Sequence, residues 1–420
     1  MSVTKEQVLS ALRNVQDPDL HKDIVTLGFV KEVEIRGGAV DFTVELTTPA
    51  CPVKDQMKAE AEALVAALPG VTAARAKMTA NVSTRGGFGR QQIPGIRNIV
   101  AVGAGKGGVG KSTTSVNLAV ALAMKGARVG LLDGDVYGPN IPQMLGCTGT
   151  PAVDAEKRIV PPEAHGIKVI SMGMLVPADQ PIIWRGPMLH GAVQQFMRDV
   201  AWGELDYLIV DLPPGTGDVA LSMAQSVPMA GAVVVTTPQG VSVSDVTKAV
   251  GMYRQLNIPV LGVVENMSYF VCGHCQERTE IFGNGGGRKM AEAMQIPFLG
   301  EVPIDTRVRS GGDEGLPIVS SAPDAPAAQA FASVASQVAA QVSIQNMRVL
   351  RVIQTASPRH PEELPSCRAT RDPRAPSACV LAFSCGRASR SGCCSRRIRA
   401  AGARTARPPC SEGRALRFRR

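Results

Sequence analysis

Residues 105–112 read Gly-Lys-Gly-Gly-Val-Gly-Lys-Ser and fit the phosphate-binding pattern G-x-x-x-x-G-K-[ST]. In this pattern the glycines let backbone N–H groups surround phosphates, the second lysine contacts the β and γ oxygens, and the final hydroxyl ligates Mg²⁺. The apolar run 98–104 predicts a buried strand before the loop, and residues 112–124 have the apolar period of a helix after it. The sequence therefore predicts a strand, loop and helix that together bind a nucleotide.

The loop carries a further lysine, Lys106, at the second position of the motif. A lysine at this place suggests a dimer, in which it reaches the nucleotide of the partner subunit. Lys106 and Lys111 are accordingly the cations that we expect to take part in catalysis. The expected nucleotide contacts are Gly105, Lys106, Gly107, Gly108, Val109, Gly110, Lys111, Ser112 and Thr113.

After the loop, short β-branched runs alternate with helical patterns, which predicts a mostly parallel sheet covered by helices on both faces. We assign this α/β domain to residues 98–343. Its last helix is expected at 325–342, with no basic face. The further strands are expected at 128–133, 167–172, 207–212, 231–237, 259–265 and 297–302.

The residues before the loop predict a small α+β domain at 1–82, followed by a glycine-rich, polar stretch at 83–97 that is typical of a flexible linker. In the small domain we expect helices at 5–15 and 53–68 and strands at 28–35, 39–46 and 71–78.

The formal charge of +9 is concentrated at the C-terminal end. Residues 347–420 contain 17 arginines, no lysine and four acidic residues, so they carry +13 and residues 1–346 carry −4. A mildly acidic body argues against nucleic acid as a partner. The tail holds six of the ten cysteines and shows no helical or strand period, so we expect it to be disordered. We hypothesise that it is a frameshift product; the alternative is a basic arm that binds RNA or a membrane.

The first 19 residues carry charges throughout and contain no apolar core of a signal peptide. No stretch of the sequence approaches the run of about 18 apolar residues that spans a bilayer. We therefore expect a cytoplasmic protein with no membrane partner.

Carboxylates follow two of the predicted strands, at the sheet edge where ligands bind in α/β folds. Asp133 and Asp135 end the run 128–133, and Asp211 ends the run 207–210. We expect Asp135 to hold or polarise a water near the γ-phosphate, as a catalytic residue. Asp211, with Ser112, is expected at the Mg²⁺ ion. The alternatives are turn-initiating aspartates in the first case and a solvated loop carboxylate in the second.

Cys272 and Cys275 have the C-x₂-C spacing that grips one tetrahedral ion or one face of an iron–sulfur cluster, but such sites need four ligands. A symmetric dimer would supply two thiolates from each chain, and it is also the arrangement that Lys106 requires. From the spacing, zinc, an iron–sulfur cluster and a redox pair all stay open. Cys51 and Cys147 stand alone and are interpreted as small buried apolar residues.

Seven motifs follow one another along the chain: GKGGVGKST from 105, DGDVYGPNIP from 133, WRGPM from 184, DLPPGTGD from 211, TTPQ from 236, ENMSYFVCGHC from 265 and VPID from 302. In this order they resemble the Mrp/ApbC family of iron–sulfur cluster carriers, which are deviant Walker A P-loop ATPases related to ParA, MinD and the nitrogenase iron protein. The similarity covers about 95–343. The segments DPDLHKDIVTLGFV at 17–30 and LTTPACP at 46–52 resemble a small domain found in iron–sulfur assembly factors.

The resemblance implies an ATPase that accepts an iron–sulfur cluster from an assembly scaffold and delivers it to apo-proteins. It implies that Lys106 acts on the phosphates of the partner subunit in a homodimer. It also implies that Asp135 belongs to switch I, that Asp211 opens switch II, and that Asn266 contacts adenine.

The resemblance further implies that Cys272 and Cys275, with the same residues of the second subunit, hold a labile bridging 4Fe-4S cluster. Cys51 falls on the characteristic cysteine of the small domain and becomes a candidate for cluster transfer. Two alternatives from other classes are a ParA/MinD-like positioning ATPase that works on DNA or a membrane, and a regulatory ATPase dimer bridged by zinc.

Overall fold

The structure is a computed structural model, and it describes residues 3–82, 93–135, 138–147, 149–174, 191, 195–215, 221 and 229–355, with side chains through 348. All described residues belong to one compact unit. The motif at 184–188, the end of the motif at 211–218, most of the linker and most of the tail lie outside the described residues.

The N-terminal region forms the small α+β unit that the sequence predicts. Strand β4 alternates between half-buried and buried residues along its whole length, as expected of a strand with one face on a core. Helix α1 begins with a capping box between Thr4 and Gln7, and α2 connects the parallel strands β4 and β5. The elements are α1 Lys5–Leu12, β1 Gln16–Asp17, β2 Lys22–Asp23, β3 Val30–Arg36, β4 Ala39–Leu46, α2 Lys54–Ala66 and β5 Ala73–Ala80.

The larger region alternates strands and helices in the order that the sequence predicts. Its elements are β6 Ile96–Ala104, α3 Lys111–Met124, β7 Val129–Asp133, α4 Ile141–Met144, β8 Ala152–Val153, β9 Ile159–Val160, β10 Glu163–Ala164, β11 Ile167–Ser171, β12 Leu205–Asp211, β13 Gly231–Thr236, α5 Gly240–Gln255, β14 Val260–Val271, β15 Arg278–Thr279, α6 Gly286–Ala293, β16 Phe298–Ile304, α7 Thr306–Glu314, α8 Ile318–Ser321 and α9 Pro326–Thr355.

In the described part of the chain, a nine-stranded sheet has the order β10-β11-β7-β12-β6-β13-β14-β15, and β16 also pairs with β14. All pairs are parallel except those of the two short strands, β10 with β11 and β15 with β14. The prediction of a mostly parallel sheet is confirmed. Its carboxyl edge collects the ends of β6, β7, β12 and β13, where a ligand site is expected.

Two apolar layers cover the two faces of this sheet. Alternate residues of each central strand face opposite layers; Val100 and Val102 contact the layer that contains α3 and α9, whereas Ile99 and Ala101 contact the layer that contains α5 and α6. Because both faces are buried, the central strands are apolar runs without polar alternation, which is why the sequence reveals them.

Two elements are longer than predicted. Strand β14 continues to Val271, whereas the sequence predicts its end near 265. The apolar run stops there because Asn266 and Ser268 are polar, but both are buried inside the strand. Helix α9 continues to Thr355, so the prediction of disorder from residue 347 is wrong for 347–355. Residues 347–355 contain neither glycine nor proline, the two residues that most disfavour a helix interior, and the next proline is Pro358.

The loop after β4 joins the small α+β unit to the larger region. The buried Tyr207 hydroxyl donates to Thr48 Oγ1 at 2.9 Å, and Ala50 and Val82 are buried in the layer that contains α3 and α9. Cys51 follows Ala50 directly, so its loop is fixed against β12 by a hydrogen bond and by apolar packing. None of the described helices has the length and apolar character needed to cross a bilayer.

Candidate functional site

The predicted phosphate-binding loop lies between the end of β6 at Ala104 and the start of α3 at Lys111. Gly108 and Gly110 have φ values of 79° and 83°, which L side chains rarely adopt. Gly110 is the N-cap of α3, whose first N–H groups point out of the helix end and favour an anion there. The local geometry therefore suits phosphate binding.

Two neighbours hold the loop closely. A β-carbon on Gly105 would lie 2.3 Å from the backbone carbonyl carbon of Asp245, so the first turns of α5 leave no space for a side chain. Asn266 Nδ2 donates to the Val109 carbonyl at 2.9 Å. The structure thus places Asn266 against the loop, and its contact with adenine stays a prediction.

Asp211, at the end of β12, accepts three hydrogen bonds from α3. Lys111 Nζ lies 2.5 Å from Oδ2, Ser112 Oγ lies 2.7 Å from Oδ2, and Ser115 Oγ lies 2.6 Å from Oδ1. Asp211 is fully buried and Lys111 nearly so. The structure therefore brings together the residues that we expect at the magnesium ion, Ser112 and Asp211, and adds Ser115. Sequence reasoning missed Ser115, although its position three residues after Ser112 places both on one side of the helix.

Asp133 and Asp135 occupy different environments although only one residue separates them. Asp135 Oδ2 lies 3.8 Å from Lys111 Nζ, beside the loop. Asp133 is fully buried and accepts from Ser171 Oγ at 2.9 Å and from the Asp135 N–H at 3.1 Å. Burial, together with the negative charge of Asp211, raises the pKa of Asp133 to about 7. The structure therefore places Asp135 beside the phosphate-binding loop and Asp133 in the interior, where it supports the backbone of Asp135.

The raised pKa of Asp133 predicts a pH dependence of stability. Between its ordinary pKa of 3.8 and about 7, the folded protein holds a proton that the unfolded chain lacks, so the free energy of unfolding falls as the pH rises. Asp133→Asn resembles the protonated carboxyl group and is expected to remove this dependence. The measurement is the melting temperature of nucleotide-free protein between pH 5 and pH 8. Asp154→Asn is the control, because the pKa of Asp154 is lowered and it titrates below this window; equal slopes for wild type and Asp133→Asn would contradict the assignment.

Lys106 is half-buried in the loop, next to the exposed Gly107 and Gly108. Within the described residues it forms no ion pair, whereas Lys111 contacts both Asp135 and Asp211. The two lysines of the motif are therefore not equivalent: the Lys111 side chain points into its own site, and that of Lys106 has no acidic partner among the described residues.

The cysteine pair lies in a hairpin between β14 and β15. The hairpin is closed by the Cys272 N–H, which donates to the Glu277 carbonyl at 3.0 Å, and by the Gln276 N–H, which donates to the Cys272 carbonyl at 2.9 Å. Cys272 is half-buried and Cys275 is exposed. Backbone N–H groups of Cys275 and His274 donate to the Cys272 thiolate and lower the pKa of Cys272. A thiol with this environment is a competent metal ligand.

Of the other cysteines in the described part of the chain, neither Cys51 nor Cys147 joins this pair. In the described ranges, no group of three or more Cys, His, Asp or Glu side chains could hold a metal ion, so Cys272 and Cys275 supply two ligands and no more. Cys147 is buried. Cys51 is half-buried, and burial raises its pKa.

The sheet registers give the separation between Cys51 and the pair. Tyr207, which binds the loop of Cys51, pairs with Asn98 near the start of β6. By the registers of β6, β13 and β14, Glu265 lies seven residues further along the sheet. Cys272 follows after another seven, of which a register shift between Asn266 and Phe270 takes up two, so the separation is about twelve positions. At about 3.3 Å per residue, the two places are on the order of 40 Å apart along the strand direction.

Sequence comparison identifies both regions. The family described as NUBPL iron-transfer P-loop NTPase matches residues 95–339, and the family described as iron-sulfur cluster assembly protein matches residues 5–77. These matches confirm the resemblance that the motifs indicate, for the larger region and for the small α+β unit.

Individual relatives align with this chain over nearly their whole length. An iron-sulfur cluster carrier protein of Synechocystis is 50% identical over 349 residues, which cover 81% of this chain and 99% of the relative. One of Deinococcus radiodurans is 48% identical over 362 residues, covering 86% and 99%. A solved nucleotide-binding protein from Archaeoglobus fulgidus, in complex with ADP, is 43% identical, with 53% of this chain and 88% of that chain covered and a TM-score of 0.48. The chain belongs to the NUBPL iron-transfer family of P-loop NTPases.

Proposed function

We propose that this protein is an ATP-hydrolysing carrier that binds an iron–sulfur cluster as a homodimer and delivers it to apo-proteins. The observation that carries the proposal is the course of β14. Asn266 of this strand contacts the phosphate-binding loop, and the same strand ends directly before Cys272. One strand thus joins a nucleotide site to a pair of thiols. Two relatives that align with this chain over 99% of their own length are named iron-sulfur cluster carrier proteins.

The nucleotide side of the proposal uses the cluster of polar groups at the carboxyl edge of the sheet. When nucleotide binds, the Lys111 ammonium group exchanges its contact with Asp211 for contacts with the phosphates. Ser112 and Asp211 would hold Mg²⁺, because a hydroxyl and a carboxylate that already lie 2.7 Å apart are the oxygen donors that this ion prefers. Bound there, Mg²⁺ supplies neutralisation of phosphate charge. Asp135, which lies beside Lys111, orients the water that attacks the γ-phosphate.

The cysteine side of the proposal requires two chains. Each chain offers Cys272 and Cys275, and a two-fold axis through the cluster completes a set of four thiolates. The same axis brings Lys106 of each chain towards the nucleotide of the other. In this arrangement the nucleotide changes the relation of the two subunits and thereby the exposure of the cluster, which is cargo and not a permanent part of the protein.

A zinc-bridged dimer is the second candidate, because two C-x₂-C pairs also satisfy tetrahedral zinc. Anaerobic incubation with iron and sulfide separates the two. A carrier is expected to develop the absorbance of thiolate-bound iron, to contain iron and sulfide, and to activate an apo-enzyme on mixing. A protein that takes up zinc with high affinity, and gains neither absorbance nor transfer activity with iron and sulfide, would contradict the proposal.

Cys51 is proposed to act in the receipt or delivery of the cluster at a place separate from the bridging site, since the two are on the order of 40 Å apart in one chain. Cys51→Ser is therefore expected to slow the transfer of cluster to an apo-enzyme while leaving the iron content of the carrier unchanged. Cys147→Ser is the control, since Cys147 is also a cysteine outside the pair but is buried. Transfer by Cys51→Ser at the wild-type rate would remove this role.

A further inference from the structure

Glu301 of β16 binds two arginines that have nearly identical surroundings. Arg278 Nη2 lies 3.3 Å from Glu301 Oε2, and Arg288 Nη2 lies 3.1 Å from Oε1. The Arg278 guanidinium stacks on the ring of Tyr269 at 3.8 Å, and that of Arg288 stacks on the ring of Phe298 at 4.3 Å. Their side chains are 47% and 52% exposed. In charge, partner, stacking and exposure the two arginines match.

The two arginines differ in the element that each one ties to Glu301. Arg278 belongs to β15 and pairs with Val271, the residue directly before Cys272. Its neighbour Glu277 accepts the hydrogen bond from the Cys272 N–H. Arg288 belongs to α6 and its contacts join that helix to β16. Arg278 alone of the two therefore connects the cysteine hairpin to the body of the sheet.

The strand ladder at the base of the hairpin is short. Strand β15 has two residues, and they pair with Phe270 and Val271 of β14. A two-residue ladder at a sheet edge is weak by itself. Arg278 adds two side-chain contacts to it, one with Glu301 on the neighbouring strand β16 and one with Tyr269 within β14 itself.

A second set of contacts fixes the chain that leaves the hairpin. Asn284 Nδ2 donates to Ser268 Oγ at 2.8 Å, and Ser268 Oγ donates to the buried Glu265 at 2.6 Å. Glu265 also accepts the Gly285 N–H at 2.9 Å, in front of α6. The chain that leaves the hairpin is therefore anchored to Ser268 and Glu265, whereas the end with Cys272 and Cys275 is held by its own backbone hydrogen bonds and, through β15, by Arg278.

We propose that Arg278 is a positioning residue for the Cys272 and Cys275 pair, and that its contacts with Glu301 and Tyr269 set how firmly the carrier retains its cluster. The inference rests on the proposed function, because it assigns the cluster to this pair. Four thiolates from two chains hold one cluster only when each pair keeps a fixed spacing. A hairpin that opens more often exposes the cluster and releases it faster.

The test compares Arg278→Ala with Arg288→Ala in reconstituted full-length protein. Arg278→Ala is expected to lose its cluster to an iron chelator about fivefold faster than wild type, which corresponds to the loss of one partly exposed ion pair and one cation–π contact. Arg288→Ala loses the same kinds of contact and is expected to retain its cluster at the wild-type rate. ATP hydrolysis and melting temperature are measured on both variants, and a selective change in cluster retention is the expected signature.

Arg278→Lys keeps the charge near Glu301 but loses the planar group that stacks on Tyr269, so its rate of cluster loss is expected to lie between those of wild type and Arg278→Ala. Equal rates for Arg278→Ala and wild type, or for the two alanine variants, would overturn the proposal. A wild-type protein that takes up no cluster would instead overturn the proposed function. Alkylation of the half-buried Cys272 in the apo-protein, compared with that of the exposed Cys275 as an internal reference, reports hairpin opening, with faster reaction of Cys272 expected in Arg278→Ala.

Discussion

Lys106→Ala is expected to lower the rate of ATP hydrolysis by roughly 10³- to 10⁵-fold, the range found for arginine fingers, the cations inserted into phosphoryl-transfer sites to stabilise the transition state. Such a cation stabilises charge that develops in the transition state, and water does not replace it. The side chain is half-buried in the loop and forms no ion pair with another described residue. Its removal should therefore leave the fold of the monomer unchanged. Unaltered turnover would refute the role of Lys106.

Lys111→Ala is the informative comparison, because Lys111 neutralises the fully buried Asp211. Its loss leaves a buried carboxylate with two hydroxyl donors and no cation, so it is expected to lower the melting temperature as well as the activity. Circular dichroism with heating, run beside the ATPase assay, separates the two variants. A Lys106→Ala protein that is destabilised as much as Lys111→Ala would indicate a structural role in its own chain.

Mixing the two inactive variants tests whether Lys106 acts across a dimer. In a mixed dimer, the subunit that carries Lys106→Ala keeps its own Lys111 and receives Lys106 from its partner, so one of the two sites works. An equal mixture that exchanges subunits freely should recover up to about a quarter of the wild-type rate. No recovery, in a mixture shown to exchange subunits, would indicate that Lys106 acts within its own chain.

The sequence predicts the geometry of the loop and of the elements that flank it, because the determinants are local. Backbone conformation restricts the loop to glycine at Gly108 and Gly110, and buried parallel strands are apolar runs that end at the functional edge. Asp211 and Ser112 are 99 residues apart in sequence, yet each stands at the end of a recognisable element, so their contact at 2.7 Å could be expected.

Other parts of the site depend on contacts that a pattern does not encode. The raised pKa of Asp133 results from burial and from the charge of Asp211 on a neighbouring strand, and the spacing of Asp133 and Asp135 says nothing about which one is buried. The two contacts of Arg278 join three strands. The hydrogen bond between Tyr207 and Thr48 links residues 159 apart, so the fixed position of the Cys51 loop follows from tertiary packing alone.

For the tail, the prediction from composition missed a helical segment. Its composition favours disorder over the whole stretch 347–420, yet α9 passes through the boundary to Thr355. A helix already anchored by buried residues such as Val338 and Val342 extends at little cost until a residue stops it. Composition averages over a segment, whereas a helix ends at particular residues, so the two criteria place the boundary differently.

Cys272→Ser is expected to abolish the binding of an iron–sulfur cluster while leaving the rate of ATP hydrolysis near that of wild type. A serine hydroxyl does not replace a thiolate on iron at neutral pH, and by symmetry one substitution removes two of the four ligands of a bridging cluster. The nucleotide site should be preserved, since Cys272 lies six residues beyond Asn266, the last residue of β14 with a described hydrogen bond to the loop.

His274→Ala is the matched control, because His274 stands between the two cysteines in the same hairpin and is exposed. It is expected to retain iron and sulfide in the same ratio per chain as wild type, as determined by chemical analysis after anaerobic reconstitution. Cys275→Ser should behave as Cys272→Ser. If Cys272→Ser kept a full cluster, the ligands would have to lie elsewhere in the chain; if it lost both the cluster and ATP hydrolysis, the thiol pair and the nucleotide site would be one functional unit. The separation of the two activities is therefore the result that distinguishes cargo binding from catalysis in this protein.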